Sequence, residues 1–221
     1  KDIIKIEKGK QITVFKDGML PWSIKRPTAL VFDEYDAGRP DVMFIIQRIL
    51  ETNGKFTLLD DNKIIDPHPA FRLFATANTI GLGDDMGIYH GTNQINQGQI
   101  DRWNIVTVLN YLSPENELKV VLGKLDELKE KKYIEKIKLM IALAGLVRKG
   151  FVQGDLTSVL SPRTIINWAD NYKIFGDLIF SFKLTFLNKC DENDKTIIAE
   201  YFQRVFDVDL PESELNKTKK K

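Results

Sequence analysis

One cysteine, Cys190, stands among 221 residues, and there are only two histidines, His68 and His90. A single thiol excludes an internal disulfide framework and fits a reducing, cytoplasmic compartment. The three residues lie far apart in the chain with none of the short spacings of metal ligands, so the histidines read as loop residues and the cysteine as a buried helix residue. Net charge is nearly absent: 32 Lys and Arg against 31 Asp and Glu leave +1. No global field draws the chain to nucleic acid or to an anionic membrane. No apolar run approaches the roughly 18 residues of a membrane span. The first residues alternate lysine with isoleucine, where a signal peptide would place an apolar core. What remains is an ordinary globular composition, 43% apolar and 29% charged, long enough for one mid-sized domain or a domain with a small satellite.

The first half reads as strands alternating with helices. Ile3–Ile6 and Ile12–Phe15 flank a glycine turn as two strands, and Met19–Trp22 opens a short helix. Thr28–Phe32 is a near-continuous apolar run, the pattern of a strand buried on both faces. It ends in Asp33-Glu34-Tyr35-Asp36. Asp41–Glu51 then has helical spacing, with Val42, Ile45, Ile46, Ile49 and Leu50 on one face and Asp41 as its cap. Residues 55–65 read as a β-hairpin around Asp60-Asp61-Asn62. Phe71–Thr76 is a second buried strand, ending in Ala77-Asn78. Residues 79–98, rich in Gly, Asn and Gln, read as loop, and Ile105–Leu112 as a third buried strand.

The character changes at Ser113. Helices are expected at about 115–130, 131–149, 162–173, 175–189 and 193–206, two of them opened by Ser-Pro pairs that suit a capped first turn. The Lys- and Glu-dense stretch 124–138 reads as a solvated helix face, and Lys217–Lys221 as a frayed end. Trp22, Trp103 and Trp168 read as core or interface packing. The expected fold class is α/β: a parallel sheet with helices over 1–112, then an α-helical unit over 113–221.

An apolar strand ending in Asp-Glu is the Walker B pattern of nucleotide hydrolases. Ligands of open α/β sheets gather at the carboxyl ends of strands. Asp33 there can hold the magnesium of a bound nucleotide, and Glu34 can orient and polarise the attacking water. Four apolar residues before two acids also arise by chance, so the pair alone decides little. Asn78 closes the next buried strand, where a polar side chain can point at that water and the terminal phosphate; taken singly it is equally a turn residue. Arg102, in Asp101-Arg102-Trp103, is placed to act as an arginine finger on a neighbouring subunit's nucleotide, the plain alternative being a surface pair with Asp101. Arg163, in Ser161-Pro162-Arg163-Thr164, opens a helix from which it can sense a phosphate; otherwise it is a solvated first-turn residue. Order and spacing together favour an AAA+-type ATPase.

Three stretches carry a more specific resemblance. Residues 17–50 with the motif DEYDAGRPDVMF, 71–112 with GTNQINQGQIDRW and 154–189 with LSPRT resemble the ATPase subunit of aerobic cobaltochelatases, MoxR-like AAA+ proteins akin to the magnesium chelatase ATPase. The resemblance covers nearly the whole chain and is weakest at 115–145. It implies a partial AAA+ P-loop NTPase core followed by a helical lid, with ATP and Mg2+ as cofactors. It implies a homo-oligomeric ring, a hexamer, that drives cobalt insertion into hydrogenobyrinic acid a,c-diamide during cobalamin synthesis. Two partners are implied: a large corrin-binding subunit and a second AAA+-like subunit. By position Asp33 and Glu34 are Walker B, with Asp33 on magnesium, Asn78 is sensor 1, Arg102 the finger and Arg163 sensor 2. The hairpin at 55–65 matches the insertion before sensor 1, and residues 1–27 the insertion ahead of Walker B.

One part of that family's machinery is missing from the sequence. No Gly-Lys-Ser/Thr loop occurs: Gly81–Gly87 has glycines but two acids and no lysine, and Gly9-Lys10-Gln11 lacks the hydroxyl. Without it there is no backbone cradle for phosphates. In the family the strand before that loop lies between the sensor-1 strand and the strand placed here at 105–112, so those two are expected to face an unfilled slot. Together with a first residue that is Lys1, this makes a fragment the expectation, inactive by itself. Two other readings stay open: a MoxR-like ATPase that remodels a different protein complex, and an interaction module that hydrolyses nothing.

Overall fold

Alternating lysine and isoleucine at the head of the chain make the expected hairpin: β1 (Asp2–Glu7) runs antiparallel to β2 (Lys10–Phe15), with Ile4 opposite Thr13. The computed structural model describes residues 2–7, 10–58, 62–79, 91–128 and 130–211. The chain falls into two compact units, Lys1–Val108 and Leu109–Lys221.

In the first unit α1 (Met19–Ile24) leads into β3 (Ala29–Phe32), a single 3-10 turn at Tyr35–Ala37 and α2 (Pro40–Leu50). Proline takes the first helical position of α2 and Arg39 the cap position, without a side-chain cap bond. The cap is therefore not Asp41: a proline at N1 has a preset φ and no N–H to satisfy, which moves the cap two residues upstream to Arg39. The chain then turns tightly at Gly54, where a Cβ would collide with the Arg48 carbonyl oxygen. β4 (Phe56–Leu58) and β5 (Lys63–Ile65) form the second hairpin; residues 59–61 of its turn lie outside the described residues. β6 (Arg72–Ala75) pairs in parallel with β3, Ala29 opposite Arg72 and Phe32 opposite Ala75. A short helix, α3 (Gln97–Ile100), capped by the Asn96 side chain, begins at the end of the stretch 79–98 expected to be loop and runs past it. Residues 80–90 of that loop, His90 included, lie outside the described residues, as does the tail beyond residue 211.

The core of this unit is small: Ile24, Phe56, Leu58, Ile65 and Phe71, with Leu20, Leu30, Ile49 and Leu73 against them. Each fully buried side chain of this size contributes about 1.5–3 kcal/mol. Two expectations fail here, the burial of β3 and β6 and the third strand. β3 and β6 are not buried on both faces, since Val31 is 56% and Phe74 53% exposed. Burial on both faces needs a layer on each side and further strands, whereas among the described residues β3–β6 is a sheet of two. The apolar stripe of α2 is buried mainly at Ile46, while Val42 and Ile45 lie open. The third expected strand, 105–112, does not form as a strand, and Ile105 and Leu109 are 85% and 89% exposed. An apolar run becomes a strand only when a neighbour takes up its N–H and C=O groups.

The second unit is helical: α4 (Pro114–Lys124), α5 (Lys131–Gln153), α6 (Pro162–Phe175), α7 (Leu178–Thr185) and α8 (Glu192–Phe206). The Ser-Pro pairs act as expected: Ser113 Oγ accepts from Asn116 N and Ser161 Oγ from Thr164 N, each ahead of a proline at the helix start. Two helices are shorter than expected. α4 stops at Lys124, and a 3-10 turn covers Asp126–Leu128. α7 starts only at Leu178, because Gly176 ends α6 in the left-handed conformation (φ 70°) and Asp177 caps the next helix at Phe180 N. Trp168, Phe182 and Phe202 lie at the centre with no exposed surface. The Trp168 and Phe182 rings are 4.5 Å apart, and the indole N–H donates to the Leu178 carbonyl at 3.2 Å. Trp22, by contrast, is half exposed. Arg148 and Glu117 form a buried two-pronged pair at 2.6 and 2.9 Å, and Arg148 Nε donates to the Leu160 carbonyl. That fork satisfies both charges, which makes the burial tolerable. Among the described residues no helix is long and apolar enough to cross a membrane.

Candidate functional site

The parallel pairing of β3 and β6 brings two chain segments distant in sequence to one end of a sheet. Asp33 and Glu34 leave β3 there, and Thr76, Ala77 and Asn78 leave β6 beside them. Asp33, Glu34 and Asn78 are all exposed, as groups that meet a ligand must be.

Thr76 ties the two segments together. Its N–H donates to the Phe32 carbonyl at 2.9 Å, extending the ladder, and its own carbonyl accepts from Tyr35 N at 2.8 Å. Its hydroxyl accepts from the Glu34 N–H at 3.1 Å and donates to Asp33 Oδ1. Glu34 meanwhile adopts φ 53° and ψ 49°, left-handed backbone on a non-glycine residue. That conformation costs roughly 1–3 kcal/mol and persists only where the surroundings impose it. Here they do, because bonds from both Glu34 N and Tyr35 N end on Thr76.

Asp36 makes the second tie. It is fully buried. Its Oδ2 accepts from Asn78 N at 3.0 Å, Thr79 N at 2.8 Å and Thr79 Oγ1 at 3.0 Å, while Oδ1 has no partner among the described residues. Its main-chain carbonyl also accepts from Asn93 N at 2.7 Å. A buried carboxylate without a cation is costly, and this one holds the backbone of Asn78 from the acidic segment. Tyr35, next to it, packs edge-on against Trp103 with centroids 5.5 Å apart. Burial pushes the Tyr35 hydroxyl up, only partly offset by Trp103.

Arg102 is engaged within its own unit. Nε donates to Glu51 Oε1 at 3.3 Å and Nη1 to the Gly98 carbonyl. With the Gln47 amide oxygen turned toward the guanidinium, that oxygen accepts from Nη1 at 2.9 Å and Nη2 at 3.0 Å. The carboxylate partner is thus Glu51 at the end of α2 and not the adjacent Asp101. Arg163 belongs to the helical unit, exposed on the first turn of α6. His68 serves a turn: its Nδ1 accepts from Ala70 N at 3.1 Å.

The structure therefore brings Asp33, Glu34 and Asn78 together at one sheet end, holds Arg102 on α2 and places Arg163 in the other unit. Sequence reasoning missed Thr76, Asp36, Glu51 and Gln47. No local signal marks them: each takes its place from bonds to residues distant in the chain. The donor set fits a hard divalent cation: Asp33 is an exposed carboxylate, and among the described residues its Oδ2 has no hydrogen-bond partner.

No family model matches the chain. Over 216 residues it is 56% identical to the aerobic cobaltochelatase subunit CobS of Sinorhizobium sp, a match covering 98% of this chain. It is 26% identical over 210 residues to midasin of Dictyostelium discoideum, covering 92% of this chain and 3% of that protein. A 34% match to midasin of Giardia intestinalis takes in 68 residues, 31% of this chain and 1% of that protein. Almost all of the chain is thus similar to a cobaltochelatase subunit, and it spans 65% of that relative's length.

Proposed function

We propose that the chain is the larger part of the ATP-hydrolysing subunit of a cobaltochelatase, a MoxR-like AAA+ ATPase that couples hydrolysis to cobalt insertion into hydrogenobyrinic acid a,c-diamide. The observation that carries the proposal is the meeting of Asp33, Glu34 and Asn78 at neighbouring ends of two parallel strands. The 56% identity to the Sinorhizobium subunit supports the choice of client. The first unit is the rear part of the nucleotide-binding core, and the helical unit its lid. The cobalt ion is cargo, held by the partners: a large corrin-binding subunit and a second AAA+-like subunit. The assembly works as a homo-oligomeric ring, a hexamer, in the cytoplasm.

In this reading Asp33 holds the magnesium of bound ATP, and the nucleotide supplies the phosphoryl group that is transferred to water. Glu34 orients that water and polarises it for attack. Asn78 fixes the water from the neighbouring strand end. Arg102, extended from the next subunit of the ring, neutralises charge as the terminal phosphate leaves, and Arg163 senses that phosphate. These 221 residues contain no Gly-Lys-Ser/Thr loop, so the reading requires a phosphate cradle from outside them. The same observation favours a second reading, an interaction module that assembles with its partners and hydrolyses nothing.

One variant separates the two. In protein expressed from its native reading frame, Glu34→Gln should bind ATP and hydrolyse it at under about 1% of the normal rate. Wild-type turnover in Glu34→Gln would end the hydrolytic assignment, and absence of turnover in the unaltered protein would select the interaction module.

A further inference from the structure

We propose that Thr76 is a positioning residue of the hydrolytic site, holding the magnesium ligand and the water-activating residue in register. The inference rests on the ATPase reading above and adds to it a residue that touches neither nucleotide nor water.

The argument is one of saturation. Thr76 has a backbone donor, a backbone acceptor and a hydroxyl, and every one of these ends on residues 32–35. The hydroxyl is used in both directions. It takes the Glu34 N–H, so its own proton is free to go only to Asp33 Oδ1. A bond that commits Oδ1 leaves Oδ2 as the oxygen available to a cation, and it selects one rotamer of Asp33. The bonds from Glu34 N and Tyr35 N, received on the hydroxyl and the carbonyl, hold the left-handed turn at Glu34 and so aim its carboxylate. One side chain on the neighbouring strand thereby sets both acids. No isosteric apolar residue reproduces this: valine keeps the shape and β-branching of Thr76, but it leaves the Glu34 N–H without its partner and lets Asp33 rotate. Serine keeps the hydroxyl and loses only a methyl group.

The test compares Thr76→Val, Thr76→Ser and Glu34→Gln in protein expressed from its native reading frame, reading kcat, KM for ATP and the Mg2+ concentration for half-maximal activity. Groups that orient a metal ligand from behind change affinity or rate by about 10–100-fold. Thr76→Val should therefore lower kcat and raise the magnesium requirement by about that factor with KM for ATP little changed, and Thr76→Ser should restore both to within about threefold. Wild-type rate and magnesium requirement in Thr76→Val would overturn the proposal, as would equal impairment in the Val and Ser variants, which would mean that the methyl group packs and the hydroxyl is idle. Folding is checked by circular dichroism. If the valine variant does not fold, Thr76→Ala takes its place, and failure of both to fold with a normal serine variant assigns Thr76 to stability alone and also overturns the proposal. The Glu34→Gln arm keeps the two ideas apart. Normal hydrolysis there removes the ATPase reading, whereas a dead Glu34→Gln beside a normal Thr76→Val removes only the role of Thr76.

Discussion

Arg102 reaches back to Glu51 through one hydrogen bond, Nε to Oε1 at 3.3 Å, and both side chains are partly open to solvent, at 30% and 40%. A pair of this kind contributes at most about 1 kcal/mol. Glu51→Ala should accordingly shift the denaturation midpoint by less than that. If Arg102 acts on a neighbouring subunit's nucleotide, as proposed above, Glu51→Ala should also leave turnover undiminished. Arg102→Ala should lower turnover on the order of a thousandfold while sparing ATP binding. A Glu51→Ala protein as impaired as Arg102→Ala would show that the bond to Glu51 is the working position of the arginine.

Glu34 carries backbone strain on an exposed side chain. Glycine adopts φ 53° freely but has more conformational freedom to lose on folding. Glu34→Gly should leave stability between unchanged and about 1 kcal/mol higher, read from urea unfolding, while hydrolysis disappears. A loss of stability beyond about 1 kcal/mol would mean that the strain is only apparent.

Asp194 links stability of the helical unit to pH. Burial pushes its carboxyl up, but hydrogen bonds from Ser158 and Thr157 outweigh that and hold it below the usual range. A carboxyl with a depressed folded value contributes stability that is complete above its unfolded value of about 3.9. That contribution is lost as pH falls through the folded value. Thermal melts between about pH 5 and 2 should show an acid slope that Asp194→Asn reduces. An unchanged slope would assign acid unfolding to other carboxylates.

Local rules in the sequence carried much of this structure. The Ser-Pro starts at 113 and 161 set two helix caps, the Asp-Glu pair marked the end of β3, and Asn78 marked the end of β6. Each depends on neighbours within a few residues. What could not be read locally was decided by partners far along the chain. Nothing in Ile105–Leu112 says whether a neighbouring strand is present, so a strand-like run emerged as an open segment without regular secondary structure. The strand faces with Val31 and Phe74 failed the burial expectation for the same reason. Within the site, the acids and Asn78 were legible because reactive residue types announce themselves. Thr76 and Asp36 were not, because a threonine or a buried aspartate takes its meaning from bonds to residues some forty positions away, and only the parallel register of β3 with β6 supplies those.

That open segment also bears on how the molecule behaves in a test tube. Ile105–Leu112 has no charge, no proline and no glycine, and four of its eight residues are β-branched. Two such runs from separate molecules can zip edge to edge, since exposed apolar stretches of high β propensity without charge or proline template pairing with one another. Solutions of this chain should therefore turn cloudy as they are concentrated, and a single lysine at Val106 or Val108 should keep them clear.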